Sequence, residues 1–472
     1  MTRAVRLLTF LVEPGRYDTT LYSHQGSCLC TNGATLESPG HRPGDTSRKH
    51  ALSPNGARLR TVKSSCAPLG LRAVIARQPR PLAWAVEFRT FGANNQSASV
   101  RRSASSRLVN FYVAFSTVAW LLLIGSIGRA DDVSWLGEVQ KVPANPPRDR
   151  LGKMLPLLVD ESGNAIATRE GWERQRTKVR DEWRMFLGPM PEPRPAVKLE
   201  VLKTESLDGI QRTLVRYEGE PGLLVEGYLL KPLANNNETK PRPGIVALHQ
   251  TTNASIDEVA GVSGPESMQI GLKLAKRGFV VFCPRCFLWQ SVKDYNDAVA
   301  KHRERHPQSL GMAKMLYDAV RGVDVLVSLP EVDAKRIGAV GHSLGAKEAL
   351  YLAAFDERIK VAVASEGGTG FRSTNWDAPW YLGPAIRDEN FSLNHHQLLA
   401  LIAPRPFLIL GGESGGGAAD GDRSWPLLQE ALPVWRLSGE PTRLGFLNHR
   451  QGHSISSESF SKIAEWLEMY LR

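Results

Sequence analysis

The tightest constraint on this chain is the stretch Arg336-Ile-Gly-Ala-Val-Gly-His-Ser-Leu-Gly-Ala-Lys-Glu-Ala-Leu350. A short apolar run breaks at Gly341-His342-Ser343-Leu344-Gly345 and resumes as an alanine- and leucine-rich helix. A serine on so sharp a strand-to-helix turn projects its hydroxyl beyond the sheet, and small neighbours let the backbone pass without collision. Ser343 is therefore the candidate nucleophile.

The surrounding pattern sets the fold class. Residues 197–203, 211–217 and 223–230 alternate as antiparallel strands. From Gly244 onward strands and helices alternate: 244–250, a helix near 268–277, 279–283, a helix near 310–329, the elbow, 359–364, 406–410, a helix near 425–437, 443–447 and a final helix to 471. Such alternation predicts an α/β protein of the α/β-hydrolase type over residues 196–472, a mostly parallel sheet with antiparallel first strands and helices on both faces. Residues 131–195 read as a helical extension, with Trp172, Val179, Trp183 and Phe186 near helical spacing as packing residues.

The first 130 residues differ in kind. They hold 17 Lys and Arg against 5 Asp and Glu, a net charge of +12, while the whole chain carries +11. The basic balance thus belongs to the leader, and a nucleic-acid partner is not expected, since that needs basic residues clustered on a folded domain. Residues 1–107 show no sustained period and predict disorder, in a leader that reads as a gene-model artefact; Cys28, Cys30 and Cys66 fit no metal spacing. From Arg101-Arg102 and Arg107 through the apolar 111–124 run to Gly128-Arg-Ala130 the order is basic, apolar and small, which reads as a signal peptide over 108–130 ending at Ala130 and predicts export. Retained, the apolar 111–128 segment would be a membrane anchor.

A serine hydroxyl needs a general base and a carboxylate that orients it, following in the order serine, acid, histidine. His453, between a glycine and a helix start, is the candidate base; His449 sits at a strand end and reads as a packed or surface histidine. Three carboxylates lie at the right edge: Glu366 after one strand, and Asp420 and Asp422 in the Gly-rich loop after the next. Oxyanion donors are expected from the amides of Leu344 and of Gln250 or Thr251. Cys283-Pro-Arg-Cys286 reads as a packed pair. Trp376 and Trp380, in the long connection after Glu366, offer aromatic faces suited to a sugar ring. No metal or organic cofactor is expected.

Gly341-His-Ser343-Leu-Gly-Ala-Lys347-Glu-Ala-Leu, Ala354-Phe-Asp-Glu-Arg-Ile359, Ser365-Glu366-Gly-Gly368 and Leu398-Leu-Ala-Leu-Ile-Ala-Pro-Arg-Pro-Phe407 together resemble the glucuronoyl esterases and related bacterial acetyl xylan esterases. The resemblance implies Glu366 as the acid, Lys347 as a sugar contact, and Ser343 with His453 as the reacting pair. It differs at Leu344, where that family carries arginine. The expected activity is hydrolysis of a carboxylic ester on a small molecule or oligosaccharide. A prolyl-oligopeptidase-type peptidase and a non-catalytic binding protein are the competing expectations.

Overall fold

A computed structural model of the chain describes residues 134–144, 146, 151–233, 240–414 and 419–472. The expected disordered leader, signal peptide and anchor lie outside the described residues. Among the described residues no helix is long and apolar enough to cross a membrane.

Among the described residues nine strands form one sheet: β1 (Glu200–Leu207), β2 (Ile210–Glu220), β3 (Leu223–Pro232), β4 (Arg242–Leu248), β5 (Val280–Pro284), β6 (Val332–His342), β7 (Ile359–Ser365), β8 (Phe407–Gly411) and β9 (Leu444–Asn448). Their order is β1-β2-β3-β5-β4-β6-β7-β8-β9. The first three are antiparallel and β3 pairs antiparallel with β5, while β5, β4 and β6 to β9 run parallel.

Strand pleating sends successive side chains to opposite faces, so a sheet covered on both sides needs two cores. Val246, Leu248, Phe282, Ile337 and Ala339 face one core, completed by α1 (Arg169–Leu187), α5 (Gly311–Val327), α6 (Leu344–Phe355), α7 (His395–Ile402) and α8 (Trp425–Leu437). Ile245, Ala247, Val281 and Val340 face the other, completed by α2 (Ile256–Val259), α3 (Ile270–Lys276) and α9 (Ser457–Leu471). The remaining helix, α4 (Tyr295–Arg305), follows β5. Cys283 faces the second core and Cys286 the first, so the two buried thiols are unbonded and point apart.

Within 131–195 only α1 is an α-helix among the described residues. Thr168 caps it by accepting the Gly171 amide at 3.1 Å, and Gly188, at φ 83°, ends it. Its buried stripe of Trp172, Val179, Trp183 and Leu187 fixes it to the domain, where the Trp183 indole donates to Gln397 Oε1 at 3.1 Å. The extension is thus part of the first core.

Candidate active site

Parallel strands end on one edge, and four of them end here in hydrogen-bonded steps. His342 at the end of β6 is in register with Ser365 at the end of β7. The Ser343 amide donates to Ser365 O at 2.8 Å, the Glu366 amide to Leu410 O at 2.9 Å, and the His449 amide to Gly411 O at 2.9 Å. Ser343 and Glu366 therefore sit just past neighbouring strands, and both take positive φ, 57° and 59°. That conformation is costly for a residue with a Cβ and turns each side chain off its strand's line.

The elbow depends on its glycines. A Cβ at Gly341 would strike the Gly345 carbonyl, and one at Gly345 would strike the Leu248 carbonyl, so both glycines permit α6 to start against the ends of β6 and β4. Leu344 opens α6, and helix geometry gives its amide no intrahelical acceptor. Ser343 is half-buried amid buried neighbours.

Glu366 is 1% exposed, and each of its oxygens meets one amide and one imidazole. Oε1 accepts from Gly412 N at 2.5 Å and lies 3.1 Å from His449 Nε2. Oε2 accepts from Ala419 N at 3.2 Å and lies 3.9 Å from His453 Nδ1. The imidazole contacts are of ion-pair range rather than in-line hydrogen bonds, and neither ring nitrogen has another partner. Burial pushes the Glu366 carboxyl up, but the two histidines and two amides outweigh it and hold the group at about 2.

The His453 ring lies 4.7 Å, centroid to centroid, from that of His342, the residue beside Ser343. His342 is buried, and burial with the neighbouring His453 pushes it down to about 3, so it forms a neutral wall; its Nδ1 contacts Ser365 Oγ at 3.1 Å.

β9 is three strands from β6, about 14 Å at ordinary strand spacing, so the histidine loop must fold back across the end of β8. Gly412 makes the crossing possible, because a Cβ there would strike the Gln451 carbonyl and stand 2.6 Å from His449 Cε1. Gly412→Ala is expected to lower kcat about 100-fold through displacement of the imidazoles, with a much smaller change in melting temperature; steady-state kinetics and calorimetry on the variant check it.

The structure brings Ser343, Glu366 and His453 to one edge and engages the other two candidate acids with other partners. Asp420 accepts from Gly368 N at 2.9 Å, Thr369 N at 2.8 Å, Thr369 Oγ1 at 3.1 Å and Ser424 Oγ at 2.5 Å, which ties the loops after β7 and β8 together. Asp422 is held by Asn448 Nδ2 and Arg450 Nη1, each at 2.8 Å. Both are occupied as loop clamps.

Two expected sugar contacts are placed otherwise. Trp376 is 1% exposed, donates its indole N–H to Gly368 O at 2.6 Å, and has Lys347 Nζ 4.0 Å from its ring centre. Lys347 is itself buried and donates to Thr374 Oγ1; burial pulls it down to about 7 against the opposing charges of Asp420 and Asp377. Neither presents a face to solvent, because cation and ring pack against each other beneath the connection that carries Gly368 and Thr374. Trp380 is half-buried and continues a row with Tyr295 and Trp289 that ends on His249, 4.9 Å from Trp289. His249 adjoins Gln250, in the loop expected to give an oxyanion donor; Gln250 itself is tied to Glu258 at 3.1 Å. Thr251 is exposed on the same loop. His449, which reads from the sequence as a packed or surface histidine, stands beside Glu366, and its position four residues before His453 is the available signal. Among the described residues no group of His, Cys, Asp and Glu is arranged to hold a metal ion.

A strand order of this kind, with a serine elbow and an acid–histidine edge at the carboxyl ends, defines an α/β-hydrolase fold. Residues 227–400 match the Dienelactone hydrolase family model. The Bacillus subtilis (strain 168) protein named "Putative hydrolase YtaP" is 36% identical over 104 residues, covering 21% of this chain and 34% of that protein. The 4-O-methyl-glucuronoyl methylesterase of Phanerochaete carnosa is 27% identical over 170 residues, covering 29% of this chain and 40% of that protein. The chain thus spans less than half the length of these curated relatives. Among solved structures, a glucuronoyl esterase from Solibacter usitatus superposes with TM-score 0.56 at 18% identity, covering 70% of this chain and 99% of that one. The carbohydrate esterase family 15 glucuronoyl esterase from Caldicellulosiruptor kristjansonii gives TM-score 0.52 at 19% identity, over 68% and 91% of the two chains. These two show the same fold.

Proposed function

We propose that the chain is a serine hydrolase cleaving a carboxylic ester borne by a carbohydrate. The observation that carries this reading is Glu366, a buried carboxylate held by two amides and facing His453 beside the serine elbow. Ser343 Oγ attacks the ester carbonyl carbon as His453 takes its proton, and the Leu344 amide meets the oxyanion. Collapse expels the alcohol, which receives the proton from His453, and water then releases the acid from the acyl-enzyme by the same steps. The ester and sugar are inferred from the names of the similar proteins, one a glucuronoyl methylesterase.

The half-buried Trp289 and Trp380, rather than Trp376, supply the aromatic faces. Trp289→Ala is expected to raise KM for a sugar ester about fivefold at nearly constant kcat, the loss of one ring contact of about 1 kcal/mol. Initial-rate measurements against substrate concentration check it.

The test of the whole reading follows methanol release from a methyl glucuronate ester and acetate release from an acetylated xylan oligomer, using protein beginning at Asp131. Turnover of either ester is expected, and the faster one names the acyl or alcohol part. Inertness on both, and on an aryl acetate, sinks the reading. Export rests on residues 101–130, and the expected mature amino terminus at Asp131 is checked by sequencing protein from the culture medium.

A further inference from the structure

His449 stands immediately after β9 and shares Glu366 with the candidate base. Its tautomer follows from its second nitrogen: Nδ1 lies 3.2 Å from the Gln451 amide and accepts that N–H, so the ring proton resides on Nε2. Nε2 is the nitrogen 3.1 Å from Glu366 Oε1. With its lone pair engaged and its N–H at ion-pair distance from the carboxylate, this ring has no nitrogen left to take a proton from Ser343.

A glutamate has one more rotatable bond than an aspartate, so presenting one oxygen to a base needs more restraint. Gly412 N and Ala419 N supply one contact to each oxygen, and His449 adds a second to Oε1. Oε2 is then the oxygen presented to His453 Nδ1.

We propose that His449 is a positioning residue of the hydrolytic site, its Nε2–H lying against Oε1 and so fixing the Glu366 carboxylate that Oε2 serves His453. The inference rests on the serine hydrolase reading. It makes the edge a four-membered unit in which one carboxylate serves two imidazoles with different tasks.

The test measures kcat and KM on 4-nitrophenyl acetate, and the rate at which a fluorophosphonate probe labels Ser343. His449→Gln keeps a donor of similar reach, and His449→Phe keeps ring volume without one. Each is made alone and in a Glu366→Gln background. His449→Phe is expected to lower kcat and the labelling rate about tenfold with KM unchanged, His449→Gln to stay within about threefold of wild type, and the His449→Phe loss to fall below about twofold once Glu366 is replaced. Equal impairment by Gln and Phe, equal fold-losses in both backgrounds, or no loss overturns the inference alone. A wild type that does not label at Ser343 overturns the hydrolase reading together with it. Nitrogen NMR of the unsubstituted protein reads the tautomer without any variant: His449 protonated at Nε2 is expected, and protonation at Nδ1 refutes the assignment.

Discussion

Ser343→Ala is expected to lower kcat by about 10⁶-fold, and Glu366→Gln by about 10³- to 10⁴-fold, while Asp420→Asn keeps kcat within about tenfold of wild type. The gradation follows from what each group does in the proposed reaction. There Ser343 forms the acyl bond, and its removal leaves the edge with nothing to acylate. Glu366 forms no bond to substrate; an amide in its place cannot balance the imidazolium charge and turns His453 toward the wrong tautomer. Asp420 has its oxygens occupied by Gly368, Thr369 and Ser424, so an amide there sets an NH₂ group against other donors and costs about 1–3 kcal/mol of stability instead. Burst and steady-state kinetics beside denaturant unfolding separate the two kinds of loss. A catalytic collapse in Asp420→Asn, with Glu366→Gln active, would move the acid to the loop after β8. Because Glu366 is held at about 2, its titration does not set the acid limb of the activity profile.

The second large effect is on stability. Lys314, on α5, is 3% exposed and bridges Glu220 Oε1 at 2.7 Å and Asp318 Oδ1 at 2.5 Å. Glu220, at the end of β2, also meets His306 Nε2 at 2.6 Å and Arg305 Nη2 at 3.1 Å. Lys314→Met leaves two buried carboxylates short of their shared cation and is expected to cost about 3–5 kcal/mol in urea unfolding. Burial pushes the Glu220 carboxyl up, yet Lys314 and His306 pull it below its ordinary value to about 2. A depressed folded pKa means that its stabilisation is present at neutral pH and is lost as pH falls through about 2. Without Lys314 the main downward pull disappears, so the acid-unfolding midpoint of the variant shifts to higher pH. Equal midpoints in the two proteins would mean that the network adds nothing to acid resistance.

The parallel half of the sheet and the elbow were readable because strand, turn and helix each carry a local signature, as at Gly341 to Gly345. α7 escaped because His395–Ile402 is buried on every side and lacks the amphipathic contrast that marks a surface helix; its signal was the capping box of Asn394 and Gln397. α4 escaped for the opposite reason, a sequence so polar that its apolar stripe is thin. Choosing among Glu366, Asp420 and Asp422 required knowing which amides each carboxylate meets, and those come from residues distant in sequence. Trp376 misled because an aromatic residue looks alike whether it lines a cleft or fills one.

The two rims of the sheet are shielded by unlike means. β1 is exposed along most of its length and sets Glu200, Lys203 and Glu205 against Arg216 and Arg212 of β2, with Arg216 bonded to Glu200 at 2.8 Å. Another molecule's strand could add there only by stripping water from those charges. β9 is instead roofed by the chain's own early segment, where Val139 O accepts the Phe446 amide at 2.6 Å and Trp135 stacks on Trp466. A shortened protein beginning after Val142 would lose that roof and offer β9 as a template for self-association, making the segment around Trp135 a solubility element even though it lies far from Ser343 in sequence.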